Sequence, residues 1–270
     1  MAGDFANGRR VAPTGSVDKF VKAVRKRFAF SDAEERMLLE RMSGTTRFSA
    51  GDVLVSEGSP VTFSSLLSDG FVCREKMTDS GHRQIAEVTV PGDFIDLHSY
   101  PLGRLDHSIT ALTDCRTVRL YHEDIDAIIQ ERPRLARILW FATMVDASIH
   151  REWIVNLGSR KGAKRMAHFF CEMYYRLEVV DMVRDGTFFL PLTQGQLGEA
   201  LGFTPVHTNR LLQELRAANL LEYRSHSATV ADIGELASFA GFDPDYLYLG
   251  GARHRAGLDR ADHQYGASTR

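Results

Sequence analysis

The stretch from Thr193 to Leu215 places polar residues at fixed offsets around a central glycine, in a pattern that could read a nucleic acid. Thr193 can cap a helix start, because its hydroxyl accepts from a backbone N–H that a first turn leaves unpaired. Leu197, Ala200 and Leu201 give that helix a buried face, and Gly202 breaks it where a tight turn needs a positive φ. Phe203 plugs the turn, Thr204 caps a second helix, and Pro205 takes its first position, where a missing N–H costs nothing. Leu211, Leu212 and Leu215 pin the second helix to the first, which leaves Val206, His207, Asn209 and Arg210 on or near its exposed start. At that place an arginine can donate a bidentate fork to guanine O6 and N7. Asn209 and His207 can reach another base or a phosphate, and Val206 offers an apolar contact to a thymine methyl. The starts of both helices, with Thr193 and Gln194 on the first, add backbone N–H groups suited to phosphate.

A pair of short helices around a glycine can also be a plain helical hairpin, so the flanking sequence matters. Leu220–Arg224 and Ala228–Ala231 bracket a polar turn at Ser225–Ser227, which reads as the β-hairpin wing of a winged helix. Cap, glycine, second cap, leucine stripe and wing together predict a helix-turn-helix whose second helix enters a major groove. Between Gly158 and Arg224 nine Lys/Arg face seven Asp/Glu, so affinity should come from a few placed phosphate contacts rather than a broad basic face.

The elements that must carry this reader lie upstream. Val17, Phe20, Val21 and Val24 sit at helical spacing, and Ser31 with Glu34 has the offsets of a capping box for a helix to about Met42. From Thr45 to Leu120 short apolar or alternating runs are broken by turn signals; Phe71–Lys76 and Gln84–Val90 flank TDSGH as a hairpin would. These predict a small antiparallel roll. From Arg134 to about Asn156 no Gly or Pro occurs, and Leu135, Ile138, Ala142, Val145, Ile149 and Trp153 recur at heptad-like spacing. That helix is expected to pair with a second copy; packing on its own domain is the alternative. A further helix over about Lys161–Leu177 follows. The fold class is therefore α+β. The expected parts are a loose lead (1–16), a sensor roll (17–131), a dimerisation helix (132–157), a DNA-binding domain (158–249) and a loose tail (250–270).

Bulk properties narrow the function class. The chain has 270 residues and a net charge of −2, so whole-chain charge neither suggests nor excludes nucleic acid. Three dispersed cysteines, Cys73, Cys115 and Cys171, suit reduced thiols in the cytoplasm and are too few for a four-cysteine cluster. No apolar run approaches membrane-spanning length, so no membrane partner is expected. No G-x-S-x-G elbow, H-E-x-x-H pair or P-loop is present, and neither catalysis nor a metal site is expected.

The order roll, long helix, winged helix-turn-helix resembles the Crp/Fnr transcriptional regulators over roughly residues 25–245. The resemblance rests on PGDFI at 91–95, SRKGAKRMAHFFCEM at 159–173 and the run at 192–221. It implies a cyclic-nucleotide-type sensor roll, a homodimer on palindromic double-stranded DNA, and RNA polymerase as a further partner. Nucleotide-binding members hold the ribose with Gly-Glu after GDF and the phosphate with Arg-Ser. This chain has Asp96-Leu97 and His107-Ser108 at those places. A neutral imidazole is a poor substitute for a guanidinium fork, so the effector is expected to be something other than cyclic AMP. The resemblance offers haem a ligand only from His82, His98, His107 or His122, and a lone histidine in a small barrel is far more often a hydrogen-bonded surface residue. The competing class is a nucleotide-binding module that regulates a protein partner, against which the helix-turn-helix and wing argue.

Overall fold

The structure, a computed structural model, describes residues 15–250 and the backbone of two short paired strands, β1 (Phe5–Ala6) and β2 (Arg9–Arg10). The loose lead and loose tail expected at the termini lie almost wholly outside the described residues.

Helix α1 (Asp18–Arg27) turns Phe20, Val21 and Val24 inward, with the Phe20 ring edge-on to Phe94 at 5.3 Å. Helix α2 (Asp32–Arg41) starts at Ser31, and both hydrogen bonds of the capping box with Glu34 are made. The next strands are β3 (Met42–Phe48), β4 (Val53–Val55), β5 (Phe63–Asp69), β6 (Val72–Met77), β7 (Arg83–Thr89), β8 (Ser108–Ala111) and β9 (Cys115–Tyr121). They form two antiparallel sheets in the orders β3-β9-β5 and β4-β8-β6-β7. Strands β6 and β7 make the hairpin expected around TDSGH, from Val72 opposite Thr89 to Met77 opposite Arg83. Gly70 turns β5 into β6 at φ +83°, where a Cβ would stand 2.4 Å from the Asp114 carbonyl oxygen; a side chain has no room. The interior of the roll is largely apolar: Leu66, Leu67, Val72, Ile109, Val118 and Leu120 are fully buried. All three cysteines are free and buried. A short helix, α3 (Ser99–Leu102), follows the GDFI segment.

Helix α4 (His122–Glu131) leads through Pro133 into α5 (Pro133–Ser159), whose 27 residues span about 40 Å at 1.5 Å each. The stripe expected to meet a second copy is consumed within the chain. Leu135 and Ile138 pack with the roll and α1; Val145, Ile149 and Trp153 pack with the C-terminal part of the chain; Ala142 is half-buried. Heptad spacing marks an apolar stripe but not the body that covers it, and here two parts of the same chain cover it in turn. The face left open carries Trp140 (68% exposed), Met144 and Ile154 (70% exposed), again at heptad spacing.

Beyond α5 come α6 (Gly162–Glu178), β10 (Val183–Arg184), β11 (Thr187–Phe189), α7 (Gln194–Leu201), α8 (Pro205–Ala217), β12 (Glu222–Arg224), β13 (Ser227–Thr229) and α9 (Ile233–Ala240). The wing is not a lone hairpin, because β13 also pairs with β11 in a four-stranded order β10-β11-β13-β12. The last described element is a 3-10 turn over Pro244–Leu247. No helix among the described residues is long and apolar enough to cross a membrane.

Candidate nucleic-acid interface

Helix α7 begins with a complete capping box: Thr193 Oγ1 accepts from Gln196 N at 3.1 Å, and Gln196 Oε1 accepts from Thr193 N at 2.8 Å. It ends at Gly202 with φ +69°, and Thr204 Oγ1 then accepts from His207 N at 3.3 Å to start α8, with Pro205 in its first turn. Leu197, Ala200, Leu201, Leu211, Leu212 and Leu215 are buried between the helices, as is Thr208. What remains outside is one continuous polar surface. Thr193, Gln194, Thr204, Pro205, Asn209 and Arg210 are exposed, Val206 is 83% exposed, and His207 is half-buried. Their side chains are already linked: Asn209 Nδ2 donates to Gln194 Oε1 at 3.2 Å, Gln213 Nε2 donates to Asn209 Oδ1 at 3.2 Å, and Arg210 Nη2 donates to His207 Nε2 at 3.3 Å. The surface pairs a guanidinium fork with amides that can both donate and accept, the donor set that base edges and phosphates match.

Three supports were not legible from spacing. Gly198 lies where a Cβ would stand 2.4 Å from the Phe203 carbonyl oxygen, so the turn closes only over a glycine. Its place one turn before Gly202 was the available signal. Tyr223, on the wing strand β12, points its hydroxyl at the carbonyls of Leu190 (2.7 Å) and Leu192 (2.5 Å), fixing the chain just ahead of α7. Arg165 binds the carbonyls at the ends of α5 and α7.

The second candidate region, in the roll, is arranged otherwise. Asp96 is fully buried and turns back to β5, its Oδ1 accepting from Ser65 N at 2.5 Å while Oδ2 has no partner. Burial pushes its carboxyl up to about 7. Leu97 is buried in the apolar cluster with Phe94 and Ile138, where it offers no polar atom to a ligand. His107 Nδ1 pairs with Asp106 at 2.8 Å, its Nε2 is buried without a partner, and its ring lies 5.3 Å from that of His98. Burial pulls His98 down to about 4 and lowers His107 as well, so both rings are neutral. Ser108 is drawn away, its hydroxyl accepting from Glu57 N at 3.0 Å.

Between the roll and α5 lies a buried ionic network that spacing did not reveal. Arg74 Nη1 donates to Glu87 Oε2 and to Asp146 Oδ1, both at 2.7 Å. Arg176, from α6, reaches Glu87 at 3.1 Å, Asp93 at 2.9 Å and Glu172 at 3.1 Å. Arg74 and Glu87 face each other in the β6–β7 register, the one clue the hairpin offered. Ligand atoms of Glu87, Asp146 and His150 lie within 4.8 Å of one another, and Arg74 already supplies the cation both carboxylates need. The adjoining cavity measures about 50 Å³, room for a few waters and far below the volume of a nucleotide pocket.

Comparison with known proteins agrees with this architecture. The cyclic nucleotide-binding domain family matches residues 45–132, and the Crp-like helix-turn-helix domain family matches residues 164–239. The chain is similar to the transcriptional activator protein FnrL of Cereibacter sphaeroides, 25% identical over 79% of this chain and 87% of the relative. It is also similar to the nitrogen fixation regulation protein FixK of Bradyrhizobium diazoefficiens, 27% identical over 68% of this chain and 76% of the relative. In fold it matches the structure of FixK2 from Bradyrhizobium japonicum with a TM-score of 0.66, at 21% identity, over 73% of this chain and 96% of that one. With a nucleotide-binding-type roll and a Crp-like reader in this order, the chain belongs to the Crp/Fnr family of DNA-binding transcriptional regulators, which are not enzymes.

Proposed function

We propose that the protein acts in the cytoplasm as a homodimer on a palindromic operator, each α8 reading one half-site, under control of a signal sensed by the roll that is not cyclic AMP. The exposed start of α8, with Arg210 beside Asn209, carries the base-reading part: Arg210 takes a guanine, Asn209 and His207 a neighbouring base or phosphate, and Thr193, Gln194, Thr204 and Pro205 lie along the backbone. The open face of α5 supports the dimer. Trp140 and Met144 also wall an apolar groove of about 590 Å³ with Leu102, Ile129 and Leu139, and a second α5 running alongside would cover it. Two-fold pairing would set the recognition helices about 34 Å apart on one side of the duplex.

Against cyclic AMP stand the inward-turned Asp96, the buried Leu97, the neutral His107 and the diverted Ser108, none of which offers a fork to a phosphate. A different small effector biasing the helix end is the remaining role for the roll, and RNA polymerase is the partner through which the bound dimer acts. Selection of bound sequences from a random duplex library, with and without cyclic AMP, tests the reading. An enriched palindrome with half-sites one helical turn apart and no nucleotide dependence is expected. No enrichment under either condition would refute the operator reading.

A further inference from the structure

Arg165, near the start of α6, makes bonds that connect two helix ends. Its Nε and Nη2 donate to the Arg160 carbonyl at 3.0 and 2.8 Å, Nη2 also donates to the Leu157 carbonyl at 2.7 Å, and Nη1 donates to the Leu201 carbonyl at 2.9 Å. Leu157 and Arg160 close α5, and Leu201 closes α7; carbonyls at such ends have no partner in their own helix. The same guanidinium lies over the Phe203 ring, 5.0 Å from its centre. Phe203 in turn stands 4.9 Å from the His207 ring, and His207 Nε2 accepts from Arg210 Nη2 at 3.3 Å. Because arginine only donates, that bond requires an unprotonated Nε2.

We infer that His207 is a positioning residue for Arg210, held in turn by Phe203 and Arg165, so that the end of α5 sets the aim of the base-reading guanidinium. The inference rests on the proposed role of Arg210 in reading a base. An arginine on an exposed helix start has many rotamers, and a fixed acceptor on its outer nitrogen removes some of that freedom before DNA arrives. The link is also directional. A shift of the α5 end relative to α7 must strain or break the Arg165 bonds, and Phe203 and His207 move with them, giving the long helix a route to specificity as well as to the spacing of the two readers.

The test uses the full-length protein on its selected operator and on duplexes with each half-site base replaced in turn. Arg210→Ala is expected to lower discrimination at one base pair by about tenfold or more. His207→Ala is expected to lower it about threefold, most strongly at that same base pair; His207→Gln, which keeps an acceptor, should recover most of it there. The double variant should discriminate no worse than Arg210→Ala alone, since one side chain acts through the other. Phe203→Leu, which still fills the turn, should reproduce the His207→Ala pattern. Additive effects in the double variant, or a His207→Ala loss spread evenly over all positions, would overturn the inference. Full discrimination in Phe203→Leu would sever the connection to α5. An Arg210→Ala protein that discriminates normally would instead remove the base-reading role beneath it.

Discussion

At the scale of single residues, the chain holds groups whose burial makes measurable demands. Asp96 has a folded-state pKa of about 7 against an ordinary value of 3.8, raised by burial. The folded state therefore holds a proton that the unfolded chain gives up, and stability falls as pH rises from about 4 to about 7. Asp96→Asn keeps an oxygen for Ser65 N and removes the titration. Subtracting its pH–stability curve from that of the parent should leave a slope only in this window, with the variant more stable at pH 8 by up to ~4 kcal/mol. Subtraction matters because His98, lowered to about 4 by burial, acts in the opposite sense as pH falls. A flat difference curve would show that Asp96 is not buried as described. Gly198→Ala is the second residue-scale test: a methyl group 2.4 Å from a backbone oxygen forces the turn apart, with an expected loss of ~1–3 kcal/mol by denaturant unfolding and a larger loss of operator binding.

At the scale of elements, α5 separates what periodicity can reveal from what it cannot. The caps, the Gly202 turn, the leucine stripe of α8 and the β6–β7 hairpin were all legible, because each is a local rule written in adjacent residues. The phase of α5 was not, because Leu135 and Trp153 fit a partner helix and a neighbouring domain equally well by spacing alone. Arg74, Glu87, Asp146 and Arg176 also escaped, since each comes from a different element and only tertiary packing brings them together. The two faces of α5 should respond differently to a carboxylate. Trp140→Asp with Ile154→Asp is expected to shift the protein from dimer toward monomer in sedimentation equilibrium while leaving the melt largely intact. Val145→Asp with Ile149→Asp is expected to unfold it, since both side chains are buried in the apolar cluster that joins α5 to the DNA-binding end, where a carboxylate would be stripped of water. The reverse pattern would return the seam to its first assignment.

At the scale of the whole molecule, Glu87 joins three bodies: it accepts from Arg74 of the roll and Arg176 of the DNA-binding end, and it faces His150 of α5 at 3.5 Å. Removing it leaves two buried guanidinium groups short of charge, so Glu87→Ala is expected to cost ~3–5 kcal/mol in denaturant unfolding, against under ~1 kcal/mol for the exposed pair Lys76–Glu57. The roll and the reader also meet directly. Arg83 donates to Glu199 at 3.0 Å and Gln84 to the Glu199 carbonyl at 2.6 Å, and Phe71, Ile85 and Val88 belong to the same apolar cluster as Phe170 and Leu197. That shared cluster bears on how such proteins can be recombined. A reader grafted from a relative at Arg160 would arrive with side chains shaped for another sensor's surface, and residues 158–250 made alone would present an oily face to water. The two halves of this chain are not interchangeable cassettes: drift in one obliges a matching change in the other.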